Sequence, residues 1–434
     1  MIIVNNITPI PPGERTMSGL DFFLLWAGAG ISLAEVMAGG FLAPLGFGAG
    51  VLAILVGHLI GNSLFAAGGL IGSNYGIPAM VSTRPAFGIR GSYLGALLNI
   101  LQLIGWTAIM LIVAARAADS LGQHYLGSSH LQLWTIVIGL ATTAWAWAGR
   151  HSWPKLQKLV TSLLILLCLY MTYVVFQGQG LRRLLATTGD GTLGFGLATD
   201  LVIAMPLSWL PLAADYSRFA RDNGSSFAGS WLGYFLASSW MYILGLEATL
   251  LTGSADPIPM MLGLGLGLPA LYIIFFSTVT TTFMDVYSAA ISSLDLFSGW
   301  DERHTTIAAG LAGTLIALLF PMEAYENFLL LIGGAFCPLF GIVLTDYFIC
   351  RRCRLETGDL FGPGAYWYTG GINLMAVITW VLGFGLYLWL TRSGFPLGAS
   401  VPSLVVTGGL YYFTMLFYRQ PAWQGGVNRS HQGK

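Results

Sequence analysis

The sequence is short of charge. Of its 434 residues only 9% are Asp, Glu, Lys or Arg, where a water-soluble domain carries about 25%. A chain this poor in charge cannot cover a hydrated surface, so most of its surface is expected to face lipid. The charges also cancel, 19 basic against 19 acidic, and nothing in that balance draws the chain to nucleic acid or to an acidic substrate. Cysteine is scarce: Cys168, Cys337, Cys350 and Cys353. Only the last two form a C-x-x-C, with no second Cys or His pair at metal spacing, so free thiols are expected. There is no His-Glu-x-x-His. The Gly-Leu repeats at 263–268 lack the Lys-Ser/Thr of a phosphate loop. No nucleophile, base and acid stand in a convincing set, so enzymatic activity is not expected. The N-terminus also lacks the basic-then-apolar pattern of a cleaved signal peptide, so the first apolar run is expected to stay.

What the chain has is apolar length: 55% hydrophobic residues, 13% aromatics and 14 Trp. A bilayer core of about 30 Å takes roughly 20 apolar residues per helix. Twelve such runs can be counted, at 20–45, 49–72, 92–120, 131–149, 156–177, 194–217, 228–252, 268–294, 305–320, 325–350, 370–391 and 400–418. They must be helices, because lipid offers no partner to a free peptide group. The expected fold is therefore an all-α membrane protein with 12 transmembrane helices. With both termini cytoplasmic, Arg116, Arg182, Arg183 and Arg392 fall outside and the other fifteen of the 19 basic residues fall inside. That is the sign of the positive-inside rule. The expected location is a bacterial inner membrane.

Two spans carry interruptions near mid-membrane. The first has Gly28-Ala-Gly30-Ile-Ser32 before Glu35, and the sixth has Pro206-Leu-Ser208-Trp-Leu-Pro211. Glycine loosens a helix, and proline removes a donor and crowds the preceding turn. Breaks at corresponding places in two five-helix halves point to an inverted-repeat transporter with a midplane site. The organisation expected is an N-terminal segment 1–19, a first repeat 20–177, a second 194–350, two further helices at 370–418 and a tail 419–434.

Polar residues inside these spans are the candidate site. A carboxylate at mid-bilayer costs about 2.5–3.5 kcal/mol or more and should face a cavity or a partner. Glu35 and Asp285 are the clearest cases. Asp215 precedes Arg218 near a helix end and reads as a cytoplasmic gate or ion pair, Asp200 lies near the other end, and Glu247 suggests no role. The run Ser277-Thr-Val-Thr280-Thr281-Thr282 either bonds its own helix carbonyls or offers uncharged oxygens to Na⁺; the residues alone leave the two equal. Gln102 and Trp106 share one helix face, an amide beside an aromatic plane, which suits a flat heterocycle or simple packing. Ser208 and Trp209 sit in the second interruption. His58 and Asn62 read as interhelical packing.

At these residues the chain resembles the nucleobase:cation symporter-1 family, over nearly its whole length. The resemblance is carried by Arg84-Pro-Ala-Phe-Gly-Ile-Arg-Gly-Ser-Tyr93, Gly105-Trp106, Ala214-Asp-Tyr-Ser-Arg-Phe219 and Thr280-Thr281. More narrowly, Trp26–Glu35 and Leu101–Trp106 resemble the CytX-type branch, which is assigned to hydroxymethylpyrimidine, the pyrimidine precursor of thiamine. The resemblance implies a LeuT-like fold of ten core helices in a 5+5 inverted repeat plus two, with helices 1 and 6 broken, and ion-driven alternating access. It implies a Na⁺ site at the carbonyls of Gly28, Ile31 and Ser277 and the hydroxyls of Thr280 and Thr281. It places the stacking aromatic on Trp106 and a polar contact on Ser208. The family's second aromatic plate falls on Pro206, with Trp209 the candidate replacement. The cytosine permeases' glutamine falls on Leu103, and their Asn-rich stretch is replaced by Thr282, Phe283, Met284 and Asp285. The amides that read cytosine are largely gone and acids stand nearby. The expected solute is thus an imported aminopyrimidine, its amino edge read by Glu35 or Asp285, with Gln102, Ser208, Trp209 and Thr282 around it; the alternatives are a cytosine or purine permease and, in another class, a proton-coupled exporter or antiporter with Glu35 and Asp285 as its relay. No cofactor is expected beyond Na⁺ or H⁺ as coupling ion, and a monomer is expected.

Overall fold

The computed structural model describes residues 7–148, 184–254, 267–297, 299–319, 321 and 324–417, with scattered positions between 159 and 173. Among these there is no strand beyond isolated bridges. The helices are α1 (Gly19–Gly30), α2 (Leu33–Gly40), α3 (Phe47–Tyr75), the short α4 (Arg84–Phe87), α5 (Ser92–Leu126), α6 (Leu131–Ala148) and α7 (Phe195–Ser217). Then follow α8 (Asn223–Thr252), α9 (Gly267–Leu296), α10 (Glu302–Ala317), α11 (Tyr325–Leu344), α12 (Leu374–Ser393) and α13 (Ser400–Phe417). Among the described residues, eight helices are long and apolar enough to span a bilayer, and α1 with α2 makes a ninth if the bent pair is one span. The 16 residues of α10 reach about 24 Å, less than a full hydrocarbon core. The predicted run at 156–177 lies largely outside the described residues.

Leucines and aromatics such as Leu52, Leu59, Leu315, Leu382, Trp389 and Phe413 are exposed on the outer faces. In lipid such a face is the ordinary surface of a span. The inner faces close through small residues. Along α3, Gly57, Gly61, Gly68 and Gly72 meet Val202, Pro206, Leu210 and Ala214 of α7, so a Cβ at any of them would strike the neighbour. Along α8, Gly229, Gly233 and Gly245 face the backbone of Gly19, Phe23 and Val36, while Gly30 and Gly39 face Ser238 and Tyr242. Helices without a hydrophobic drive between them associate through such close approach.

The first predicted interruption is a break. The chain leaves α1 at Ile31 (φ −88°, ψ 87°), runs extended at Ser32 (φ −145°, ψ 158°) and turns by 56° into α2. Ser32 Oγ accepts from the Glu35 amide at 3.3 Å and so caps the new helix. The second predicted interruption is not a break, and the expectation is corrected here: α7 is one helix through both Pro206 and Pro211. The φ that proline fixes is compatible with a helix; what each proline takes away is one donor. Amides of α5 instead meet carbonyls in this stretch. Gln102 Nε2 donates to Ser208 O at 2.8 Å and Asn99 Nδ2 to Pro211 O at 3.2 Å.

The two ends of the bundle differ. One is stitched by arginines: Arg84 to Asp295 at 2.6 Å, Arg351 to Asp346 at 2.6 Å, Arg15 to Ser73 O at 3.0 Å and Arg221 to Thr16 O at 2.7 Å. At that end the exposed Asp222 caps α8, and the amide of Ser225 holds its carboxyl below the usual range. At the other end Asp200 accepts the amides of Ala399 at 2.5 Å and Ser400 at 2.9 Å, joining α7 to the start of α13. All four cysteines are free.

Candidate functional site

The break between α1 and α2 faces α5, α7 and α9 around a small cavity. Its lining is Ala29, Ser32, Ala34 and Glu35 from the break, Trp106 and Met110 from α5, Met205, Ser208 and Trp209 from α7, and Asp285 from α9. The enclosed space is about 20 Å³. That is room for a water and not for a six-membered ring, so the site is closed in this conformation.

Five of the predicted solute residues therefore meet: Glu35, Trp106, Ser208, Trp209 and Asp285. Two do not line the space. Gln102 is buried one turn along α5, bonded to Asn99 Oδ1 at 2.8 Å as well as to Ser208 O. Thr282 donates to Thr278 O of its own helix at 2.7 Å, so its hydroxyl is spent on the backbone. Neither side chain reaches the cavity in this closed conformation. Pro206 packs on Gly61 of α3, which takes it away from the cavity, while Trp209 lines it. Of the predicted Na⁺ ligands, Gly28 lies in the last turn of α1 and Ile31 at the break. The side chains of Ser277, Thr280 and Thr281 lie outside the described residues.

The two acids that look alike in the sequence differ here. Glu35 is fully engaged: Oε1 accepts from Tyr234 at 2.5 Å and Oε2 from Ser238 Oγ at 2.7 Å. Tyr234 in turn accepts from the indole of Trp209 at 2.8 Å. Asp285 is 3% exposed, and among the described residues its carboxyl has no hydrogen-bond partner. Trp106 is held edge-on by Tyr325 and Phe328, with ring centroids 5.8 and 5.5 Å away. Its indole N–H also lacks a partner among the described residues.

Tyr234 and Ser238 escaped the sequence reading. Their signal was a Tyr-x₃-Ser-x₃-Tyr stripe ending at Tyr242, one polar face on an apolar helix. His58 was read as packing. It does bridge helices, with Nε2 at 2.5 Å from Ser238 Oγ, but it also completes the surroundings of Glu35. Asp215 accepts from the amide of Ala79 at 2.9 Å, and Arg218 donates to Tyr287 at 3.1 Å, so both tie elements together at the arginine-rich end. Glu247 is buried with neither carboxyl oxygen hydrogen-bonded among the described residues, and we have no physical account of it.

Comparison with known proteins gives consistent results. A family profile for permeases of cytosine/purines, uracil, thiamine and allantoin matches residues 9–415. The cytosine permease of Escherichia coli (strain K12) is 26% identical over 423 residues, 95% of this chain and 94% of that one. A putative purine-cytosine permease of Bacillus subtilis (strain 168) is 26% identical over 451 residues, 94% of this chain and 95% of that one. The fold is that of Mhp1, a nucleobase-cation-symport-1 family transporter solved in a closed conformation with bromovinylhydantoin bound. The TM-score is 0.86 at 20% identity, over 95% of both chains.

Proposed function

Since the chain belongs to the nucleobase:cation symporter-1 family of permeases, we propose that it imports hydroxymethylpyrimidine or a close aminopyrimidine by alternating access. It is a multi-pass membrane transporter for a nucleobase-like solute and not an enzyme. The finer reading rests on one observation: Asp285, a buried carboxyl with no hydrogen-bond partner among the described residues, lines the same cavity as the aromatic ring of Trp106. An aminopyrimidine presents a ring nitrogen beside an exocyclic amine. With that nitrogen protonated, a carboxylate accepts both hydrogens as a charge-assisted pair. Glu35, the other candidate, already has a hydrogen-bond partner at each oxygen, so in this reading Asp285 is the acid that reads the amino edge. Na⁺ drives the cycle in this reading, held by carbonyls of Gly28, Ile31 and Ser277 and hydroxyls of Thr280 and Thr281. The arginine-rich end, with the N-terminus, faces the cytoplasm of a bacterial cell, as the positive-inside rule requires.

The test is ligand-induced thermal stabilisation of the purified protein with hydroxymethylpyrimidine, cytosine, uracil, adenine and hydantoin, in Na⁺ and in choline. A ligand that binds only the native state raises apparent stability by mass action. Hydroxymethylpyrimidine is expected to give the largest shift, greater in Na⁺. Asp285→Asn is expected to weaken it by about 1.5–3 kcal/mol, the worth of a hydrogen bond to a charged group. A shift with cytosine or a purine alone, or an unchanged Asp285→Asn, sinks the aminopyrimidine reading and leaves the family intact.

A further inference from the structure

Beside the cavity, three polar side chains are arranged so that their hydrogens can be counted. His58 Nδ1 lies 2.9 Å from the carbonyl of Ile54. A carbonyl only accepts, so Nδ1 carries a hydrogen. His58 Nε2 lies 2.5 Å from Ser238 Oγ, and that oxygen lies 2.7 Å from Glu35 Oε2. Ser238 has one hydrogen and two such neighbours. If it points at Glu35, then Nε2 must donate and His58 is an imidazolium facing a carboxylate. If it points at His58, then Glu35 must donate and both ends are neutral. A bare carboxylate with a neutral imidazole leaves one contact lone pair to lone pair, with nothing to hold it. Both consistent arrangements contain one proton more than that, and both are neutral overall, which is what burial requires.

The approach that creates these contacts is built into the helices. Gly30 lets α8 close on α1 with Ser238 against it, and Gly39 and Gly245 do the same between α2 and α8. The titratable groups facing the triad are Tyr234 and Tyr242 on α8, Tyr325 at the start of α11, and Asp285 from α9 on the cavity wall. No lysine or arginine pairs with Glu35 or His58 among the described residues. The triad also reaches the cavity, because Glu35 accepts from Tyr234 and Tyr234 accepts from Trp209, which lines it.

We propose that Glu35, Ser238 and His58 form a proton-binding site holding one shared proton in this closed conformation, linked to the solute cavity through Tyr234 and Trp209. The site does not depend on which solute is carried. Between the ordinary values of Glu, about 4.3, and His, about 6.5, the unfolded chain also binds one proton at these groups. Above that range the unfolded chain binds none and the folded site still binds one. Stability therefore falls as pH rises past about 7, up to tenfold in the unfolding equilibrium per pH unit, until the site itself empties.

The experiment records melting against pH without ligand, in Asp285→Asn so that the cavity acid is silent, and in Asp285→Asn with Glu35→Gln added. The glutamine amide donates to Ser238 permanently, so the alkaline fall is expected to vanish in the second protein. Parallel profiles overturn the proposal. An infrared titration of the wild type with isotopically labelled histidine is the second measurement. One step in which carboxyl and imidazole change together is expected, and separate steps overturn the proposal. Adding hydroxymethylpyrimidine is then expected to move that step, because linkage is reciprocal. A bound ligand that leaves it unmoved overturns the link to the cavity. If no heterocycle binds, the aminopyrimidine reading fails, and the ligand-free measurements still decide the proton site.

Discussion

Trp106 stands in the cavity wall with its edges fixed by Tyr325 and Phe328, so its plane cannot turn freely. Stacking a base on such a ring is worth about 1–3 kcal/mol. Trp106→Ala is therefore expected to weaken solute binding about tenfold or more, and Trp106→Phe to keep most of it, as read by calorimetric titration. Equal affinity in the alanine variant removes Trp106 as the platform. That Trp106 lines the site was legible through the family resemblance, since the residues alone, an amide and an aromatic on one helix face, fit a ligand plane or simple packing. The division between Glu35 and Asp285 was not. Glu35 is engaged by Tyr234 and Ser238, which stand 199 and 203 residues away in the chain. Only the packing of α2 on α8 tells the two acids apart.

Among the helices, α1 and α2 show what a break needs. Two glycines, a serine to cap the next helix and a glutamate in its first turn together make ending and restarting a helix inexpensive. The proline pair in α7 has no such cap and no glycine between, and the helix carries on between α3 and α5. Proline content alone thus misread the second case, since a missing donor is not a missing turn. The glycines on α8 make the matching prediction. A Cβ at Gly245 would meet the backbone of Val36, which cannot rotate aside. Gly245→Ala is expected to destabilise the protein by about 1–3 kcal/mol, as overpacking does, with a lower melting midpoint in detergent. Gly409, with open space around it, is the control at which alanine should be neutral.

Across the whole molecule, Arg15, Arg84, Arg221 and Arg351, which the sequence assigned to one side, meet at one end, and there they hold elements together. Arg84 is nearly buried, paired with Asp295, and its guanidinium also donates to Leu360 O at 2.7 Å. Asp295 in turn accepts from Ser92 at 2.9 Å. Removing one partner of a buried pair strands the other charge and costs about 3–5 kcal/mol. Asp295→Asn is expected to lower the melting midpoint sharply, while Arg303→Ala, at an exposed position near the start of α10, should leave it unchanged. Comparable melting of both variants would reduce the arginine-rich end to a topological signal.

The contact at the opposite end bears on how the chain is made. Asp200 sits at the start of the sixth predicted span, yet the amides it accepts belong to residues 199 and 200 positions later. A ribosome adding about 5–20 residues per second takes on the order of ten seconds or more to deliver them. Throughout that interval the carboxylate must stay hydrated at the membrane surface or borrow a temporary partner. The last helix is thus a late-arriving clasp on a span inserted half a protein earlier, and a chain stopped short of Ala399 would leave the insertion machinery with an unfinished middle as well as a missing end.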